Sequence, residues 1–217
     1  MSQMGKRLVY QNAKNAVQRA GLNAGKAVLS QSFLRFEALL ATTQSSYVFD
    51  TLVNENTNPA FVTQQKLNLQ DAFVIGEVGI YLAVPTTSAT TETRVKLYSY
   101  PSPTVFTGAG VEDAMYTVYN GNLNVTISQR TILPYWDVMR HLFIPQTQLT
   151  AAVNSPKDQL EANHQSMYTM EPNVVLVGSK KNIVKIDLPG APAAVLANSR
   201  IVMICRGILM QNVTPVN

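Results

Sequence analysis

The sequence predicts a mainly β protein: a two-sheet β-sandwich of the single jelly-roll kind, with a partly helical N-terminal arm. Three observations carry that expectation. About nine short runs rich in β-branched and aromatic residues follow one another from residue 46 onward, eleven prolines fall between those runs, and the first 36 residues are basic and free of acid. Eight or nine strands with long, polar, proline-marked connections suit two packed sheets, and a jelly roll is the most populated arrangement that uses eight. An immunoglobulin-like sandwich or a tail-tube-like barrel would give a similar string, and strand order is not readable from it.

A chain of 217 residues suits one well-buried core with an extension. Residues 1–45 read as a basic N-terminal arm and anchor, and residues 46–217 as the β-sandwich domain. Within the arm, alanines at 13, 16, 20, 24 and 27 favour helix. Gly21 and Gly25 each weaken it by up to about 1 kcal/mol, so two helical pieces, or an arm ordered by docking, are expected. Residues 33–40, Phe-Leu-Arg-Phe-Glu-Ala-Leu-Leu, supply an apolar anchor.

The strand candidates in the body are 47–53, 60–67, 72–84, 94–100, 114–119, 123–128, 174–177, 183–188 and 200–210. Asn120-Gly121 between the fifth and sixth has the chemistry of a type I′ hairpin turn, which would put Leu123, Val125 and Ile127 on one face. Prolines at 59, 85, 101, 103, 134, 145, 156, 172, 189, 192 and 215 mark connections, where a missing N–H harms no ladder. Residues 137–143 and 155–165 are the helical candidates, on crossings between sheets.

Charge is segregated along the chain. Residues 1–36 hold Lys6, Arg7, Lys14, Arg19, Lys26 and Arg35 and no acid, while the remaining 181 residues hold eleven basic and thirteen acidic side chains, a formal charge of −2. These six cations are the candidate contacts to nucleic acid or another anionic surface. Aromatic residues are not interleaved with them, so the contact expected is non-specific and steeply salt-dependent rather than a base-stacking platform. An anionic internal membrane and neighbouring subunits are the other possible partners of the arm. The charged fraction of 14% lies below the usual quarter or so of a soluble domain, which suits a surface packed against copies of itself.

No constellation names a reaction. Cys205, the single cysteine, sits in the apolar run Ile201-Val202-Met203-Ile204-Cys205 and reads as packing. His141 and His164 are the two histidines; Asp137 and His141 are spaced for one helical face, yet no third group completes a zinc site or a triad. Glu112-Asp113 and the pair Asp158 and Glu161 read as solvent-facing loop acids. Gly178-Ser179-Lys180-Lys181 lacks the upstream glycine of a phosphate loop, and Gly108-Ala109-Gly110 lacks the third glycine of a dinucleotide fingerprint, so both read as turns. No catalytic residue, cofactor, metal or small-molecule substrate is expected; an active site would have to assemble His141 or His164 with carboxylates of another chain. The longest apolar run, 72–84, is broken by Gly76, Glu77 and Gly79 and is too short to span roughly 30 Å of hydrocarbon.

A basic arm from Lys6 to Arg35 followed by a β-sandwich from about residue 46 resembles the coat proteins of icosahedral viruses and tailless phages. The resemblance lies in architecture and composition over the whole chain. It implies a capsid subunit that self-assembles into a shell, with the arm facing genome, internal membrane or neighbouring subunits, and residues 102–113 facing a neighbour or the exterior. Its partners would be copies of itself and other virion proteins, in a virion assembled after synthesis in the host cytoplasm. A minor vertex or head-accessory protein fits the same layout. Outside that class stands a nonspecific nucleic-acid-binding or other oligomeric β-sandwich binding module.

Overall fold

The computed structural model describes residues 3–84, 90–93, 95–102, 111–143 and 166–215. The chain is mainly β, in two antiparallel sheets. Helix α1 (Gln3–Arg19) leads into β1 (Leu22–Asn23), β2 (Val28–Leu39), β3 (Ser46–Phe49), β4 (Ala72–Ala83) and β5 (Leu97–Tyr98). Helix α2 (Val111–Tyr119) precedes β6 (Asn122–Ile127) and β7 (Arg130–Asp137). After these come β8 (Met167–Val177), β9 (Asn182–Asp187), β10 (Arg200–Gln211) and β11 (Thr214–Pro215).

Pairing is nested about one turn. Ser128 and Gln129 have φ of 47° and 69°, the paired positive values of a type I′ turn, and they join β6 to β7 with Ile127 opposite Arg130. Moving outward along both arms of the chain, β4 pairs with β8, β3 with β9 and β2 with β10, all antiparallel. Two further ladders, β10 with β4 and β9 with β6, knit these pairs into a larger sheet, β2-β10-β4-β8, and a smaller one, β3-β9-β6-β7. Strand β5 adds two residues at the end of β4, and β1 pairs with β11.

Alternation decides what each sheet buries. Leu34, Phe36 and Ala38 of β2, Phe73, Ile75, Val78 and Ile80 of β4, and Ile201, Met203 and Cys205 of β10 form the main core with Tyr47, Phe49, Leu123, Val125, Val184 and Ile186 of the smaller sheet. Each such large apolar side chain contributes roughly 1.5–3 kcal/mol on full burial. The skip from Ile75 to Val78 is a bulge at Gly76, where the register of β4 shifts against both neighbours. Gly207 crosses this bulge so closely that a Cβ there would run into the carbonyl oxygen of Val74.

Several expectations need correcting. Residues 114–119 are helix, not strand: Ala114, Met115, Val118 and Tyr119 are buried at helical spacing, with the Tyr119 hydroxyl 3.2 Å from the Ile80 carbonyl and 3.1 Å from that of Tyr98. Asn120-Gly121 therefore ends α2, with Gly121 N–H donating to the Val118 carbonyl, and the hairpin turn lies at Ser128–Gln129. The inward face expected for Leu123 and Val125 is found, with Ile127 packed partly against it. The sheet also begins before residue 46, because residues 33–40 lie mostly in β2, paired with β10 over its whole length.

Residues 130–137, expected as a connection with Pro134 among its marks, form strand β7. It is an edge strand of the smaller sheet, and Pro134 falls where its register with β6 shifts, so no ladder bond is lost. Residues 60–67 form two isolated bridges, Arg35 to Gln65 and Leu52 to Leu67, instead of a strand, and among the described residues of 94–100 only Leu97–Tyr98 pair. Residues 137–143 supply one 3-10 turn, Val138–His141, capped by the Asp137 carboxylate accepting from Met139 N–H at 2.9 Å. The helix expected over 155–165 lies outside the described residues.

Candidate functional site

The outer face of the larger sheet carries Arg35, and helix α1, on which Lys6, Arg7, Lys14 and Arg19 fall, packs across part of it. Residues alternating with the core-facing ones on β2, namely Phe33, Arg35 and Glu37, point to this face. Helix α1 crosses its lower half, burying Ala13, Ala16 and Val17 against Ala72, Val74, Val177, Ile208 and Met210. The upper half is closed by residues 61–65, whose Gln65 exchanges two backbone hydrogen bonds with Arg35 at 2.8 and 3.0 Å.

Under that cover, Glu37 is wholly buried. It accepts from Arg35 Nε at 2.8 Å, from Arg200 Nη1 at 3.1 Å and from the Thr63 hydroxyl. The Arg200 guanidinium, 1% exposed, stacks 3.9 Å from the centroid of Phe61. A buried carboxylate needs this surround, since desolvation alone costs several kcal/mol per ion.

Between the two covered halves lies a cleft of about 720 Å³, walled by Val9 and Asn12 of α1 and floored by Phe33, Glu77, Arg206 and Ile208. Glu77 and Arg206 are cross-strand neighbours, both exposed, and no ion pair joins them among the described residues. Phe33 is 51% exposed beside them. Burial pushes the nearby Tyr81 hydroxyl up to about 12; the Arg206 charge opposes this shift and the Glu77 charge adds to it. The cleft offers a cation, an anion and an aromatic face for polar contact. Sequence reading missed it, though the glycines at 76 and 207 within apolar strands were signals of a bulge and a close backbone approach.

The six candidate cations do not form one patch. Lys6, Arg7, Lys14 and Arg19 fall on α1, with Arg19 Nε donating to the Asn15 carbonyl at 3.3 Å. Lys26 is exposed in the turn between β1 and β2. Arg35 stands apart, held in the Glu37 network.

Of the other residues weighed, His141 is fully buried. Trp136 Nε1–H, which can only donate, reaches His141 Nε2 at 2.9 Å, so the ring proton sits on Nδ1 and is donated to the Ser166 carbonyl at 2.8 Å. Both ring nitrogens are thus engaged in packing. Burial, with a smaller push from Arg140, lowers its pKa to about 4 against the opposing Ser166 hydrogen bond and Asp137 charge. His164 lies outside the described residues. Cys205 is buried in the main core, which drives its thiol pKa far up. Among the described residues, no group of three His, Cys, Asp or Glu could hold a metal ion, and no helix is long and apolar enough to cross a membrane. Compared with known proteins, the chain matches no family model, no curated protein and no solved structure.

Two outcomes follow. Arg200→Ala leaves Glu37 buried with half of its countercharge and is expected to cost about 3–5 kcal/mol in urea unfolding, whereas Glu37→Gln with Arg200→Met together should cost less than the two single changes added. His141 is neutral in the fold, so its contribution is fully present above the ordinary histidine pKa of 6.5. It is lost as pH falls from there to about 4, a total on the order of 3 kcal/mol. Unfolding midpoints across that window should fall more steeply for the parent than for His141→Gln, and parallel slopes would contradict the assignment.

Proposed function

We propose that the chain is a single jelly roll and serves as a self-assembling structural subunit of a virus or phage shell. The nested pairing about Ser128–Gln129 carries the reading. Numbered along the chain, the eight long strands β2, β3, β4, β6, β7, β8, β9 and β10 stand in the orders 1-8-3-6 and 2-7-4-5, as expected when one long hairpin is rolled upon itself. Viral capsid domains are a major user of that arrangement.

Two features support assembly. The smaller sheet ends in the edge strand β7, which carries Tyr135 at 80% exposure and Ile132 at 41%. Edge strands of isolated domains are blunted by charge or covered, and an aromatic edge suits contact with another copy. The N-terminal helix α1, with four of the arm's six basic residues, lies along one outer face of the larger sheet, so many copies arranged alike would present these cations on one side of a shell. On this reading the protein carries out no reaction, and its partners are copies of itself, other virion proteins and the material enclosed. Its location would be the virion, after synthesis in the host cytoplasm.

Sedimentation velocity over a series of concentrations, pH values and ionic strengths tests this. The full chain is expected to form large species, and Tyr135→Glu to raise the concentration at which they appear. A chain that stays a 23.8 kDa monomer throughout overturns the reading.

A further inference from the structure

The fold builds a basic end that no single stretch of sequence contains. Registers place Val28 opposite Gln211, Met210 opposite Ala72 and Ala72 opposite Val177, so the start of β2 and the end of β8 share one end of the larger sheet. In the smaller sheet Ile127 faces both Asn182 and Arg130. The short turn 178–181 joins β8 to β9, which brings the two rows to the same end of the molecule.

Five cations meet there. Lys180 Nζ donates to the Ala20 carbonyl at 2.8 Å, fastening this turn to the C-terminal end of α1 beside the exposed Arg19. The Lys181 carbonyl accepts from Ser128 N–H at 3.0 Å, fastening the same turn to the hairpin that carries Arg130. Lys181 and Arg130 are exposed, and Lys26 lies exposed in the turn before β2. Three carboxylates that flank the strands at this end are hydrogen-bonded to backbone rather than to these cations. Asp71 accepts from Asn212 N–H at 3.1 Å, Asp50 from Thr57 and Asn58 N–H, and Glu55 from Thr51 and Leu52 N–H.

We infer that Arg19, Lys26, Arg130, Lys180 and Lys181 form a contact surface for the phosphate backbone of nucleic acid. Cations drawn from three segments to one end of the fold, four of them exposed and Lys180 half-buried, suit a polyanion, and they call for no base recognition. A bilayer fits less well: the apolar stripe of α1, Ala13, Ala16 and Val17, is already buried on the sheet. The inference rests on the shell reading for its setting, where this end would meet the enclosed genome. Of the six expected contacts it keeps Arg19 and Lys26 and leaves out Lys6, Arg7, Lys14 and Arg35, and it adds Arg130, Lys180 and Lys181.

The test uses the full chain at concentrations where sedimentation shows no assembly, fluorescent single-stranded and duplex DNA, and binding measured across a salt series. Arg130→Gln with Lys181→Gln, both at exposed positions, should weaken binding about tenfold or more at low salt and flatten the log–log salt slope by about 1.4–1.8, from the usual loss of about 0.7–0.9 per phosphate contact. Lys96→Gln, an exposed cation at the opposite end beside β5, should leave the slope unchanged. Absence of DNA binding, equal slopes for parent and double variant, an equal loss with Lys96→Gln, or binding to phosphatidylglycerol vesicles but not to DNA would each overturn the proposal. Normal assembly with failed binding sinks this inference alone, whereas normal binding without assembly sinks the shell reading.

Discussion

Pairing that nests outward from Ser128–Gln129 constrains everything else in the molecule. Outward from the antiparallel pair β6 and β7, β4 pairs with β8, β3 with β9 and β2 with β10. The last of these joins Leu39 to Arg200, a separation that makes the closing ladder expensive in chain entropy. The Glu37–Arg200 pair sits on that ladder, and with Thr63 and Phe61 it ties the outermost strands to the segment that covers them. Nesting also returns the N-terminal segment to the sheet end where β8, β9 and the central hairpin turn. Positive residues scattered along the sequence become neighbours for that reason.

Much of the fold was legible because the strands that bury one face announce it. Alternation at Leu123 and Val125 and the long apolar run over 72–84 both correspond to strands. Misreadings occurred where two periods fit one string. Ala114, Met115, Val118 and Tyr119 satisfy helical spacing as well as a short β-like run, and the Asn-Gly that follows favours a hairpin locally but ends a helix here. Strand β2 was hidden by its outward residues, since Arg35 and Glu37 look like solvent-facing charges and are instead held within a network formed by distant residues.

The candidate site was less legible, because it depends on which segments fold together. Arg35 was grouped with the arm by proximity in sequence, and a carboxylate two residues away claims it. Lys180 and Lys181 were visible only as part of a turn. Their relation to Arg19 required knowing that β8 ends beneath the last turn of α1. The cleft at Glu77 and Arg206 has the same origin, a glycine bulge in one strand meeting a glycine in its neighbour.

On the proposed reading, an aromatic edge strand, a helix packed on one face and cations drawn to one end would give a unit whose surfaces differ in kind, as a repeating shell requires. Electron micrographs of the purified full-length chain test that claim most directly. The account predicts closed particles or regular rings with a repeating subunit the size of one two-sheet body. A uniform field of dispersed monomers, under every condition of salt, pH and added nucleic acid, would contradict it.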